Sequence, residues 1–169
     1  MELVSRMMDG SISFPPTEPD QRPVAVPPKL GAGEKSTYLQ RVPLLQNCTH
    51  RELRAISRIT EVLEAPPGHV LARAGESGER FFFIVDGTAR VEVSPDTHHR
   101  LGPGAFFGEM SLLDGEPRSA TVAADTAVRL LVIHRRDFRT LLKQVPALTE
   151  RILVTLSQRV RQAEKAVTA

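Results

Sequence analysis

The sequence predicts an α+β protein in which a β-sandwich or jelly roll stands between helical segments. Three observations predict it. Between Thr60 and Val93 the apolar residues follow a period of two, in short runs broken by Pro66-Pro67-Gly68, Ala74-Gly75-Glu76-Ser77-Gly78 and Asp86-Gly87, as short strands joined by tight turns do. Ahead of that region Leu53, Ile56 and Ile59 recur at helical spacing. Behind it, two apolar-periodic segments separated by Pro146 close the chain.

A chain of 169 residues is one domain plus tails, long enough to bury a core. Apolar residues make up 41% and charged residues 25%, as in ordinary globular proteins. Lys plus Arg number 22 against 20 Asp plus Glu, so bulk charge does not argue for nucleic acid or a membrane surface as partner. The single cysteine, Cys48, has no intramolecular disulfide partner, which fits a cytoplasmic protein, and it reads as a buried or half-buried thiol. No apolar run approaches the ~20 residues of a membrane span. The first ten residues, MELVSRMMDG, lack the pattern of a signal peptide, and the initiating Met1 favours a stand-alone protein.

Residues 1–35 carry Pro15, Pro16, Pro19, Pro23, Pro27 and Pro28 with Gly31 and Gly33. Repeated prolines fix φ and remove donors, so 1–35 is expected to be a flexible tail and 36–169 the folded domain. Thr49 followed by Glu52 is a capping box that starts the first clear helix. The run Phe81-Phe82-Phe83 has no basic residues interleaved and reads as a strand buried on both faces rather than a platform for nucleic-acid bases.

Strands are expected over Thr121 to Ala124 and Val128 to His134, with His134 either capping the next helix or exposed. A helix follows over Arg135 to Gln144 and a longer one over Ala147 to about Lys165. In the longer helix Leu148, Ile152, Leu153, Leu156 and Val160 form the apolar stripe, and Arg151, Arg159, Arg161 and Lys165 a solvated basic face. Adjacent His98 and His99 point to opposite sides of a strand, and no spaced histidine pair accompanies them or His69, so no metal site is expected. No acid and base, or nucleophile and base, form a catalytic team; the protein is not expected to be an enzyme.

The stretch richest in chemistry is FFGEMSLLDGEPRSATV, Phe106 to Val122. Gly108 permits a sharp turn, and Glu109 to Leu113 favour one helical turn whose leading amides suit an anion. Arg118 stands nine positions after Glu109 and just before Ser119 and a strand entry. Its guanidinium offers a planar fork to a phosphate, with backbone amides and the Ser119 hydroxyl to complete the shell. A carboxylate beside a phosphate needs a different client, and a sugar hydroxyl is the natural donor. One Glu and one Arg therefore match a 3′,5′-cyclic nucleotide, with one free ribose hydroxyl and one negative charge.

The string LGPGAFFGEMSLLDGEPRSATV resembles the phosphate-binding cassette of cyclic-nucleotide-binding domains, above all those of prokaryotic cyclic-nucleotide-gated potassium channels. The resemblance implies an eight-stranded β jelly roll (double-stranded β-helix) flanked by N-terminal helices and two C-terminal helices. It implies that Glu109 binds the ribose 2′-OH and Arg118 the exocyclic phosphate oxygens, that Gly108, Met110 and Ser111 offer backbone contacts, and that Ser119 follows the arginine as in bacterial regulators. Val91 and Leu101 fall where apolar contacts to base and sugar are expected.

The ligand is expected to be cyclic AMP (cAMP), with cyclic GMP (cGMP) possible because Ser119 does not decide between them. In the family the last helix moves on binding and often supplies a lid; Leu153, Val154 and Leu156 are candidates here. The 23 residues after Pro146 leave no room for a DNA-binding domain, so the output is expected to be an effector protein, with the chain a monomer or weak homodimer. The competing readings are a degenerate fold acting as a protein-interaction domain without ligand, and a cupin-type enzyme.

Overall fold

The structure, a computed structural model, describes residues 32–42 and 45–168. Most of the predicted tail, residues 1–31, lies outside them, as do Pro43 and Leu44. The last four residues assigned to that tail behave otherwise: helix α1 spans Ala32–Gln40, and Lys35 donates from Nζ to the Thr60 carbonyl at 2.7 Å. Helix α2, His50–Ile59, begins where the capping box predicts. The Thr49 amide donates to Glu52 Oε2 at 2.7 Å and the Glu52 amide to Thr49 Oγ1 at 3.2 Å, closing both halves of the motif.

Eight strands follow: β1 (Thr60–Ala65), β2 (Val70–Ala72), β3 (Arg80–Asp86), β4 (Ala89–Ser94), β5 (Thr97–Leu101), β6 (Phe106–Phe107), β7 (Thr121–Ala124) and β8 (Val128–His134). Helix α3 (Glu109–Asp114) interrupts them between β6 and β7, and α4 (Arg135–Gln144) and α5 (Pro146–Thr168) complete the order. The strands form two antiparallel four-stranded sheets, β1-β8-β3-β6 and β2-β7-β4-β5, stacked as a jelly roll. The fold is the expected one.

Strand β3 shows why the triple phenylalanine is there. Phe81, Phe83 and Val85 face a core shared with α1, α2, α4 and the start of α5, through Leu39, Ile56, Phe138 and Leu148. Phe82 and Ile84 face the opposite way, into the space between the sheets with Phe107, Val122 and Leu130. The strand thus separates two cores, and all three rings are fully buried. Strand β6 pairs with β3 through Phe82↔Phe107 and Phe83↔Phe106, so helix α3 begins two residues beyond a strand anchored in both cores.

Helix α5 departs from the predicted stripe. Leu148 and Ile152 are buried and Leu156 packs on the core, but Leu153 and Val160 are each 58% exposed. Ile152, Leu156, Arg159 and Ala163 recur at i, i+4, i+7 and i+11 and make the inner face; Leu153 and Val160 lie one position round the helix. His134 occupies the N-cap position of α4 without a side-chain cap bond, and its Nε2 lies 3.2 Å from Glu61 Oε2. Cys48 is half-buried against the helical core, and burial pushes its thiol pKa up.

Thr49→Ala removes the oxygen that receives the Glu52 amide and should cost about 1 kcal/mol of unfolding free energy. Urea midpoints for variant and wild type measure it; equal midpoints would show that α2 is held by packing alone.

Candidate functional site

The loop that carries the site is set by glycine at its entry. Gly108 caps α3 with φ 91°, and a Cβ there would stand 2.7 Å from the Arg80 carbonyl oxygen and 2.8 Å from Arg118 Nη1. Both the angle and the space exclude a side chain. The turn swings Glu109 inward at the first position of the short helix, and Gly115, also left-handed, ends that helix with its amide bonded to the Ser111 carbonyl. The chain then returns through Arg118, whose amide donates to the Glu76 carbonyl at 2.8 Å, into β7.

Gly108, Glu109, Met110, Ser111, Arg118, Ser119, Val91 and Leu101, the eight residues expected from sequence, all line one cavity of about 630 Å³. It opens between the β4–β5 side of the roll, the α3 loop and the far half of α5. Val91 and Leu101 supply its apolar wall with Phe107 and Val122. Register explains the histidines: β4 pairs Val91 with His99 and Glu92 with His98, so neighbouring His98 and His99 fall on opposite faces, and only His99 reaches the cavity. Among the described residues no group of three or more His, Cys, Asp or Glu is placed to hold a metal ion.

The Arg118 guanidinium is half-buried and already oriented. Nη1 donates to the Gly108 carbonyl at 2.8 Å and Nη2 to the Arg80 carbonyl at 2.6 Å. Burial, then the nearby Arg80 charge, push its pKa below the ordinary arginine value, while Glu109 and Glu79 act the other way. Two of its five N–H groups are committed to the backbone, which leaves donors for an anion without a new rotamer.

Glu109 is the most deeply set charged group of the cavity, with 1% of its side chain exposed. Arg159 of α5 meets it: Nη1 pairs with Glu109 Oε1, Nη2 donates to the Phe106 carbonyl at 3.1 Å, and the guanidinium lies 5.3 Å from the centre of the Phe106 ring. The other carboxylate oxygen, Oε2, is buried with no hydrogen-bond partner. Loss of solvent raises the Glu109 pKa, against the opposing pull of Arg159, its own backbone amide and Arg118.

Arg159 is the functional candidate that sequence reasoning misses, because charge patterning groups it with Arg151, Arg161 and Lys165 on a solvated face. The signal was its spacing of seven from the buried Ile152, which puts it on the inner side of the helix. The lid candidates are corrected with it. Leu153 and Val154 point outward, Leu156 packs on the core, and none of the three lines the cavity. The wall α5 presents is Arg159, Gln162, Ala163 and Ala166.

Chemically, the cavity offers a cationic fork, a buried acceptor lacking a donor, and apolar walls. Those features suit a small anion that carries a hydroxyl and a flat apolar group.

The model of one protein family, the cyclic nucleotide-binding domain, matches residues 62–145. Over 109 residues the chain is 47% identical to a cyclic nucleotide-gated potassium channel of Mesorhizobium japonicum, an overlap of 64% of this chain and 30% of the channel. Among solved structures, the Thermus thermophilus catabolite activator protein is 27% identical and superimposes with a TM-score of 0.66 over 75% of this chain and 62% of that one. A PKAR CBD2 structure with Sp-2Cl-cAMPS bound shares the fold at 21% identity, TM-score 0.66, over 80% of this chain and 95% of that one. The chain spans about a third of the length of the curated channels it matches. No helix among the described residues is long and apolar enough to cross a membrane.

Because Glu109 has its pKa raised above 4.5 by burial, the folded protein keeps this proton to higher pH than the unfolded chain. Its contribution to stability is therefore unfavourable and grows as pH rises through the ordinary value and then the raised one. Glu109→Gln does not titrate, so its stability relative to wild type should shift in the variant's favour as pH rises from below 4.5 through the raised value. Paired thermal melts across that range read the shift; a gap independent of pH would mean that the buried carboxylate carries no such penalty.

Proposed function

Through residues 62–145 the chain belongs to the cyclic nucleotide-binding domain family, and from that premise we propose that it is a cytoplasmic cyclic-nucleotide sensor, not an enzyme, that prefers cyclic AMP to cyclic GMP and signals to a partner protein through α5. The observation that carries this reading is the unpartnered Glu109 Oε2 in a cavity shared with Arg118. A ribose 2′-OH donates to that oxygen, and the ring phosphate takes the free N–H groups of Arg118 with the amides of the α3 loop. The base then lies between the Val91 and Leu101 wall and α5. Preference for cyclic AMP is supported by relatives described as cAMP-dependent or cAMP-activated, among them the regulatory kinase subunit of Mycosarcoma maydis, 34% identical.

Arg159 gives the sensor its moving part. It belongs to the helix but pairs with the residue assigned to the ribose, so ligand and helix meet on one carboxylate. Ligand shifts α5 only as far as it binds the two helix positions differently. A change from mostly undocked to mostly docked asks for a difference of about 10⁴ in affinity.

Arg118→Ala should weaken cyclic AMP binding by about 2–5 kcal/mol, the cost of removing one partner of a desolvated charged contact. Calorimetric titration with cyclic AMP and with cyclic GMP measures both the loss and the preference. Wild-type affinity in that variant would remove the phosphate assignment, and tighter cyclic GMP binding by wild type would reverse the base preference. Arg159→Ala should weaken binding by about 1–3 kcal/mol and abolish ligand-induced protection of α5 amides from hydrogen exchange. Protection that persists unchanged would remove Arg159 from the signalling route.

A further inference from the structure

The loop between β2 and β3, residues 73–79, has no assigned part in the site, yet it holds the cavity's arginine from three directions. The Arg118 amide donates to the Glu76 carbonyl at 2.8 Å, the Gly75 amide to the Arg118 carbonyl at 2.8 Å, and Arg118 Nη2 to the carbonyl of Arg80, where the loop ends, at 2.6 Å. Residues 74–77 and Glu79 are exposed, but Gly78 between them is buried. A residue buried within an exposed loop is covered by a contact that its neighbours do not share.

That contact is with the site. A Cβ built on Gly78 would lie 2.4 Å from Ser111 Cβ, 3.0 Å from Ser111 Oγ and 3.0 Å from Arg118 Cζ. The first separation is impossible without backbone movement, because a Cβ cannot rotate away. Gly78 is not among the glycines with positive φ, so its backbone angles are open to any residue and space alone excludes a side chain. Gly75 and Gly115, by contrast, have positive φ and nothing closer than 3.7 Å to a built Cβ.

We propose that Gly78 is a positioning residue for the binding arginine: its bare Cα lets the β2–β3 loop close behind Arg118 and Ser111, so that the guanidinium is held against the Gly108 and Arg80 carbonyls with its remaining donors toward the cavity. A methyl group at position 78 presses on the guanidinium carbon and the α3 loop together. The two groups assigned to the phosphate, the arginine fork and the Ser111 end of the loop, then move apart from their shared geometry. This rests on the cyclic-nucleotide reading of the cavity and adds to it the element that sets the arginine.

The test is a double-mutant cycle on the full chain, titrated with cyclic AMP: wild type, Gly78→Ala, Arg118→Ala and the pair. Gly78→Ala should bind about tenfold more weakly or worse, and the same change in the Arg118→Ala background should add little, because residues that act through one contact are not additive. Ser111→Gly removes the steric partner, so Gly78→Ala/Ser111→Gly against Ser111→Gly alone keeps the question open to measurement if Gly78→Ala does not fold. In that comparison the pair should still bind more weakly, since the guanidinium contact persists. Wild-type affinity in Gly78→Ala, an equal loss with and without Arg118, or equal affinities in the two Ser111→Gly proteins would each overturn the proposal. Wild type that binds no cyclic nucleotide sinks the underlying reading as well; a loss in Arg118→Ala with none in Gly78→Ala sinks only this inference.

Discussion

A single carboxylate taken out of water governs the open end of this jelly roll. Moving an ionised group into a protein interior is costly unless charge and hydrogen bonds replace its solvent. Glu109 receives only part of that replacement: Arg159 on one oxygen, none on the other. A site built for its own stability would satisfy both oxygens. The missing partner leaves one buried acceptor in the cavity lining, and such an acceptor suits a hydroxyl donor.

The fold supplies the rigidity that such a site needs. Phe106 and Phe107, just before the Gly108 turn, are buried in different cores and pair with Phe83 and Phe82 of the strand that divides them. The Phe82 and Phe107 rings stack with centres 4.6 Å apart, and Phe81 packs against Phe83 and Phe138. Any displacement of the loop entry would therefore disturb both cores, and close-packed interiors resist that. Glu109 is placed by the barrel, whereas Arg159 is placed by a helix whose outer half leaves the core after Leu156.

Legibility in the sequence followed the same division. Strand period, turn residues and the Thr49–Glu52 box are local signals, and they located the strand region, helices α2, α4 and α5 and the α3 loop with nearly the observed bounds, whereas α1 was not located. Glu109 and Arg118 were legible because their chemistry and spacing lie within one short string. Arg159 is fifty positions from Glu109, and charge patterning alone puts an arginine on the outside of a helix. Leu153 and Val160 were misplaced by the converse rule, which turns every aliphatic residue inward. Gly78 read as one more turn glycine, since a sequence does not distinguish a glycine needed for its angle from one needed for its size.

Two oxygens on one carboxylate also set the sign of coupling in the proposed sensor. With Arg159 docked, its charge only opposes the larger effect of burial on the Glu109 carboxyl, but its guanidinium fixes Oε1 and leaves Oε2 as the oxygen for a ribose hydroxyl. Docking of α5 and capture of the sugar therefore favour each other, and linkage makes the effect equal in both directions. Arg118 is held differently: its guanidinium donates to the carbonyls of Gly108 and Arg80, both on the barrel side, so its own position is set without the helix. In the proposed sensor the two halves of a cyclic nucleotide thus meet differently anchored groups: the phosphate an arginine held by the barrel, and the ribose a carboxylate that the helix also holds.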